Sequence, residues 1–151
     1  EQLQATARVE KRPWQYTTEK PADDWMKADY DASGWKTGMS GFGTAMTPGS
    51  TIGTVWNSGD IWIRSEFDYV PEKGDLMLNI HYDEDPVIYI NGVKAADPSG
   101  YTVDYVLQNI TPAAQAALKK GKNAIAIHCK NAMGGQFIDT GLVYAKQAEE
   151  E

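Results

Sequence analysis

The sequence predicts an all-β domain, a β-sandwich carrying one short helix. Asp60–Val70, Asp75–Asp83 and Asn123–Lys130 alternate apolar and polar residues with the period of two required of a strand with unlike faces. Turn chemistry punctuates the chain at short intervals: Asp31-Ala32-Ser33-Gly34, Pro71-Glu72-Lys73-Gly74 and Asn91-Gly92. A single stretch, the one that follows Thr111, has helical composition and helical caps. Many short strands with one helix favour a sandwich over a barrel or a propeller.

In chain order, residues 1–12 are polar and of mixed charge and read as a linker or an incoming first strand. The sandwich is expected over 13–144, and 145–151 reads as an acidic tail. Residues 21–35 carry Pro, Asp and Gly turn signals around isolated aromatics. The stretch 37–59 holds six glycines and one proline and reads as a long functional or mobile loop.

The strand Asp60–Val70 puts Ile61, Ile63, Ser65 and Phe67 on one face and Trp62, Arg64, Glu66 and Asp68 on the other. In Asp75–Asp83, Leu76, Leu78, Ile80 and Tyr82 point inward, and Met77, Asn79, His81 and Asp83 point outward. Asn91-Gly92 is a type I′ hairpin signal between Pro86–Ile90 and Val93–Ala96. Thr111 is a good N-cap, Pro112 suits the first helical position, and Gly121 is the expected stop. Cys129 shares its face with Ile125 and Ile127 and should be a buried thiol. Gln136–Tyr144 is the last strand.

With 151 residues the chain is expected to be one domain, burying roughly two thirds of its unfolded surface. A net charge of −7 argues against nucleic acid and against an anionic membrane surface, both of which need clustered Lys and Arg. The longest uncharged stretch, 37–59, is rich in Gly, Ser and Thr, so membrane insertion is not expected. One cysteine permits no internal disulfide. The chain starts at Glu1, which reads as a processed chain or an excised domain.

Nucleotide-loop, serine-elbow and zinc patterns are absent. The densest carboxylate run, Asp83-Glu84-Asp85, is the one candidate for Ca²⁺; its spacing is not that of an EF-hand, and the alternative is a solvated strand end. His81 and His128 lie near the ends of alternating strands; as sheet neighbours they would share a face with Asp83 and Asn131. Five Trp among 16 aromatics admit two uses, filling a β-core or stacking on sugar rings.

The order of motifs adds a resemblance. Asp23-Asp24-Trp25, then Trp62 to Phe67, Asp83 or Asp85, Val87 to Gly92, Gly100-Tyr101, Asn109-Ile110-Thr111 to Asn123, and Ala124 to Cys129 resemble, collinearly, the galactose-binding-domain-like jelly roll. The set is similar to the sugar-binding domain of glycoside hydrolase family 2. With Gly41 to Thr44, Thr47 to Gly49, Trp56 and Gly134 to Asp139, it is also similar to accessory modules of secreted glycoside hydrolases and glutaminases of Bacteroides-type bacteria. The resemblance implies a jelly-roll fold, a bacterial setting that is secreted, periplasmic or at the cell surface, and a larger parent hydrolase whose catalytic domain lies elsewhere.

Two functions follow as expectations. In the first, the domain binds carbohydrate, with Trp56, His81, Asp83, Tyr101 and Asn131 as the ligand site. Phe42 and Tyr105 would add stacking surface; Asp85, Gln136 and Asp139 would take hydroxyls. In the second, the domain braces a neighbouring catalytic domain and has no ligand of its own. The expected discriminator is exposure: a groove of aromatics for the first, an apolar patch near one edge for the second.

Overall fold

The computed structural model of the chain describes residues 1–132 and 134–145. Its strands are β1 (Gln2–Gln4), β2 (Pro13–Thr17), β3 (Lys36–Met39), β4 (Phe42–Gly43), β5 (Thr54–Val55), β6 (Asp60–Tyr69), β7 (Leu76–Asp83), β8 (Val87–Ile90), β9 (Val93–Ala96), β10 (Val106–Asn109), β11 (Gly121–Lys130) and β12 (Phe137–Tyr144). One helix, α1 (Pro112–Ala117), precedes β11. Sheet A runs β10-β7-β12-β4-β5, with β1 also on β12; sheet B runs β3-β2-β6-β11-β8-β9. From β6 onward the chain passes from one sheet to the other and back: β7 in A, β8 and β9 in B, β10 in A, β11 in B and β12 in A. This crossing places the hairpin and loop connections at the two ends of a sandwich.

The alternation read from the sequence decides what is buried. Ile61, Ile63, Phe67, Leu76, Leu78, Ile80, Tyr82, Ile88, Ile90, Ile125, Ile127 and Cys129 all enter one core between the sheets. Each fully buried side chain of this size contributes roughly 1.5–3 kcal/mol. Burial also pushes the Cys129 thiol's pKa up, so it is inert. The opposite parity of β6 is covered too. Trp62 joins Trp25 and Ala126 in a second cluster, roofed by Met26, Tyr30 and Trp35 from the turn-rich segment 21–35. Asn91 and Gly92 both have positive φ, 49° and 82°, as a type I′ turn requires.

The structure departs from expectation at five places. The stretch 37–59 is not structureless: it holds most of β3, together with β4 and β5. Its glycines disguise this, because they are there for close approach; a Cβ on Gly43 would lie 2.2 Å from the Gln136 carbonyl oxygen. Strands β2 and β10 formed no pattern long enough to be read. The helix ends at Ala117, ahead of Gly121, because Leu118 is extended and packs on the core, while Asn123 bonds both the N–H and the carbonyl of Lys119. Gly121, at φ 89°, instead opens β11. Finally, His81 and His128 are in different sheets, so the shared histidine face does not exist.

Residues 1–12 include β1, which lies against the end of β12; there the Tyr144 N–H donates to the Glu1 carbonyl at 2.9 Å. Of the acidic tail, only Ala145 lies within the described residues. Among the described residues, no helix is long and apolar enough to cross a membrane.

Candidate functional site

Three of the five expected ligand residues meet at one end of the sandwich. Asp83, the last residue of β7, forms an isolated antiparallel bridge with Tyr101. The Thr102 N–H donates to the Tyr82 carbonyl at 2.8 Å, and the Tyr82 N–H donates to the Thr102 hydroxyl at 3.1 Å, so segment 100–102 is fastened to that strand end. Backbone pairing of Glu84 with Lys130, at 3.0 Å and 3.2 Å, brings Asn131 to the same end. Tyr101 is 65% exposed, whereas Asp83 and Asn131 are half-buried. Burial, reinforced by the neighbouring Glu84, pushes the Asp83 carboxyl above the usual carboxylate range. Asn131 donates to Gln136 Oε1 at 3.1 Å, and among the described residues its own buried Oδ1 has no partner.

The other two expected residues are closed to a ligand. Trp56 is 2% exposed and lies in the same core as Phe42; its backbone N–H donates to the Gly43 carbonyl at 3.0 Å. It is a plug that pins the glycine-rich loop, and neither it nor Phe42 offers a face for stacking. His81, at 0% exposure, is covered by Tyr105, Phe137 and the loop at Gly49. Its Nε2 meets the Thr102 carbonyl at 3.2 Å, and its Nδ1 has no partner among the described residues. The loop 37–59 and the segment Ser99–Tyr105 meet at this end of the sandwich. A Cβ on Gly49 would sit 2.4 Å from the Val103 carbonyl oxygen, and this contact seals the histidine in instead of opening a cleft above it.

The remaining polar candidates are internal fasteners. Asp139 is 2% exposed; it accepts from the Ala7 N–H at 2.8 Å and from the Tyr105 hydroxyl at 2.5 Å. Burial raises its pKa to about 6. Arg8 lies 4.6 Å from the centre of the Tyr105 ring and pairs with Asp104 at 2.9 Å, closing this network from above. Gln136 is buried and donates to the Ser58 carbonyl. The acidic run does not converge as a Ca²⁺ site would. Asp85 accepts from the Gly100 N–H at 2.6 Å and Glu84 from the Ala132 N–H at 2.9 Å, and among the described residues no group of three or more His, Cys, Asp or Glu could hold a metal ion.

On the outer face of sheet B, sequence reasoning missed the polar partners that gather around Trp62. There His128 stacks on Trp62, with centroids 4.6 Å apart and planes 9° from parallel, and its Nε2 meets Asp60 at 2.8 Å. Two strand positions away, Arg64 is buried under Tyr30. The available signal was the parity of β6, which put Trp62 and Arg64 on the non-core face; a large aromatic and an arginine on that side call for a cover.

No protein-family model matches the chain, and no curated protein does. Solved structures do. A β-glycosidase from Bacteroides vulgatus is similar over 95% of this chain and 20% of its own, with TM-score 0.65 and 18% identity. A glycosyl hydrolase family 2 member from Bacteroides cellulosilyticus DSM 14838 is similar over 88% of this chain and 20% of its own, with TM-score 0.61 and 16% identity. A β-glucuronidase from Bacteroides uniformis is similar over 89% and 18%, with TM-score 0.55 and 16% identity. This chain spans about a fifth of the length of the structures it matches, and the likeness is one of fold: the chain is a β-sandwich of the kind that family 2 glycosyl hydrolases carry as one part of a longer polypeptide.

Proposed function

We propose that this domain is a non-catalytic accessory part of a larger bacterial, secreted or periplasmic hydrolase, and that it braces a neighbouring domain through the Tyr101–Leu107 side of sheet A. One observation supports this above others. Tyr101, Val103, Val106 and Leu107 lie exposed within seven residues, along and beside the edge strand β10, whereas Trp14, Trp25, Trp56 and Trp62 are all buried. Four of the five Trp lie in the cores, and four exposed apolar side chains gather along one edge, which suits a packing face better than a sugar groove. In the parent chain, Val103→Asp with Leu107→Asp should loosen the junction and open new cleavage sites in limited proteolysis. The melting of the isolated domain should be unchanged. Unaltered proteolysis of the parent would overturn the reading.

A second reading, carbohydrate binding, is favoured by the pairing of Tyr101 with Asp83. An exposed ring beside a half-buried carboxylate offers one stacking surface and one hydroxyl acceptor. A site so open should bind weakly, on the order of 0.1–1 mM. Calorimetric titration with galactosides, glucosides and uronates, on wild type and Tyr101→Ala, tests it: binding abolished by the substitution supports the sugar site, and no binding by any sugar leaves the brace.

A further inference from the structure

A cleft of about 250 Å³ opens on the outer face of sheet B, away from the Tyr101–Leu107 edge, lined in part by Gln15, Tyr30, Thr37, Arg64 and Glu66. Strand β6 carries Arg64 into it, opposite Gln15 of β2, and Gln15 is in turn opposite Thr37 of β3. Three neighbouring strands thus present polar side chains to one hollow, and Tyr30 of the covering segment forms its lip.

Arg64 is 6% exposed. Its Nη1 donates to the Trp25 carbonyl at 2.6 Å, and its guanidinium carbon lies 5.5 Å from the centre of the Tyr30 ring. Among the described residues no carboxylate comes within ion-pair distance of it. Glu66, two residues along the strand, is held by Lys122 at 2.9 Å, and Asp29 acts on Arg64 only at longer range. Among the described residues the other guanidinium N–H groups have no acceptor, and Arg64 lines the cleft. The Tyr30 and Thr37 hydroxyls also make no hydrogen bond within the described chain.

Folding seldom buries a cation without a counter-ion, because the lost hydration must be replaced. Burial does pull the Arg64 pKa down, but a guanidinium stays charged throughout the accessible pH range. Its planar fork matches a carboxylate with two parallel N–H···O bonds, a geometry that a lysine could not supply. The missing partner is therefore best sought outside the chain.

We propose that this cleft is a carboxylate-binding site in which Arg64 holds the anion and the Tyr30 and Thr37 hydroxyls complete its hydrogen bonding. The carboxylate comes either from a sugar acid or from an Asp or Glu side chain of an adjoining protein surface. The proposal is independent of the brace reading, since the cleft and the apolar edge lie on different sheets.

The test follows the Arg64 Nε–H resonance by ¹⁵N NMR, with parallel calorimetry, while glucuronate, glucose, acetate and doubly blocked glutamate are added to the wild-type chain. A carboxylate should move that resonance, and glucose should bind at least tenfold more weakly than glucuronate. Glucuronate outcompeting acetate and blocked glutamate tenfold identifies a sugar acid; comparable binding by all three identifies a side chain. Tyr30→Phe and Thr37→Val, which keep the ring and the branched shape, should each weaken binding severalfold. Arg64→Lys should abolish it, and the two milder variants keep the test valid should that substitution unfold the chain. A resonance unmoved by every carboxylate in folded protein, or equal binding of glucose and glucuronate, overturns the proposal.

Discussion

His81 and Asp139 stand directly opposite each other across β7 and β12, both buried, and yet they do not bond. Each turns to a segment that covers the outer face of sheet A: the imidazole to Thr102, the carboxyl to Ala7 and Tyr105. An ion pair here would have been self-contained. The observed arrangement instead fastens two surface segments to the sheet.

That relationship makes stability depend on pH in a definite sense. The Asp139 carboxyl is raised by burial from 3.8 to about 6 in the folded chain. The folded state therefore holds the proton more tightly than the unfolded state. The associated stability is fully present below about pH 4 and is lost as pH rises through 6, up to about 3 kcal/mol in all. His81 acts oppositely: burial lowers its pKa, so its contribution is lost as pH falls below 6.5. Asp139→Asn should remove the first component alone. The urea midpoint of the variant, less that of wild type, should climb between pH 4 and 6; a difference independent of pH would refute the buried, proton-binding carboxyl.

Trp62→Ala should destabilise by roughly 3–5 kcal/mol, the usual cost of truncating a buried large aromatic. The substitution removes the ring stacked on His128 and opens the cluster formed with Trp25. A thermal melt that does not move would place Trp62 at the surface.

Trp56→Ala should carry a similar stability cost, roughly 3–5 kcal/mol, because the indole is part of the main core. Any sugar affinity that the chain has should be unaffected at a permissive temperature. Loss of binding with an unchanged melt would restore Trp56 to the ligand site.

Gly92→Val should cost about 1–3 kcal/mol. There is room for the side chain, since a Cβ would lie 3.5 Å from Lys27 Cα; the penalty comes from φ at 82°, which a β-branched residue resists. Gly92→Asn, which tolerates that region, should recover most of the loss in the same denaturation assay.

Thr111→Ala should cost about 1 kcal/mol. The hydroxyl accepts from the Ala114 N–H at 3.1 Å and donates to the Lys94 carbonyl at 2.6 Å, so it caps α1 and ties it to β9. Thr111→Ser should be close to neutral in the same melts.

The long strands were legible because burial on one face writes itself as alternation. Leu76, Leu78 and Ile80 announce a core face without any knowledge of the partner strand. Phe42 and Val55 announce nothing, since a two-residue strand has no period. The site was harder for a related reason. A Trp in a glycine-rich loop looks the same whether it awaits a ligand or plugs a core, and only the close approach of Gly43 to β12 separates the two. The cleft at Arg64 depends on residues 15, 30, 37 and 64, which only the order of strands in sheet B brings together.

The pairing of β1 with β12 sets the two ends of the described chain side by side, joined by the Tyr144–Glu1 hydrogen bond. A bridge of roughly two or three residues in place of residues 146–151 would join Ala145 to Glu1 without disturbing either sheet. New ends could then be opened in an exposed turn such as Ser33-Gly34, at the cost of the hydrogen bond from the Ser33 N–H to Asp31. A circularly permuted chain of this kind should fold to the same sandwich.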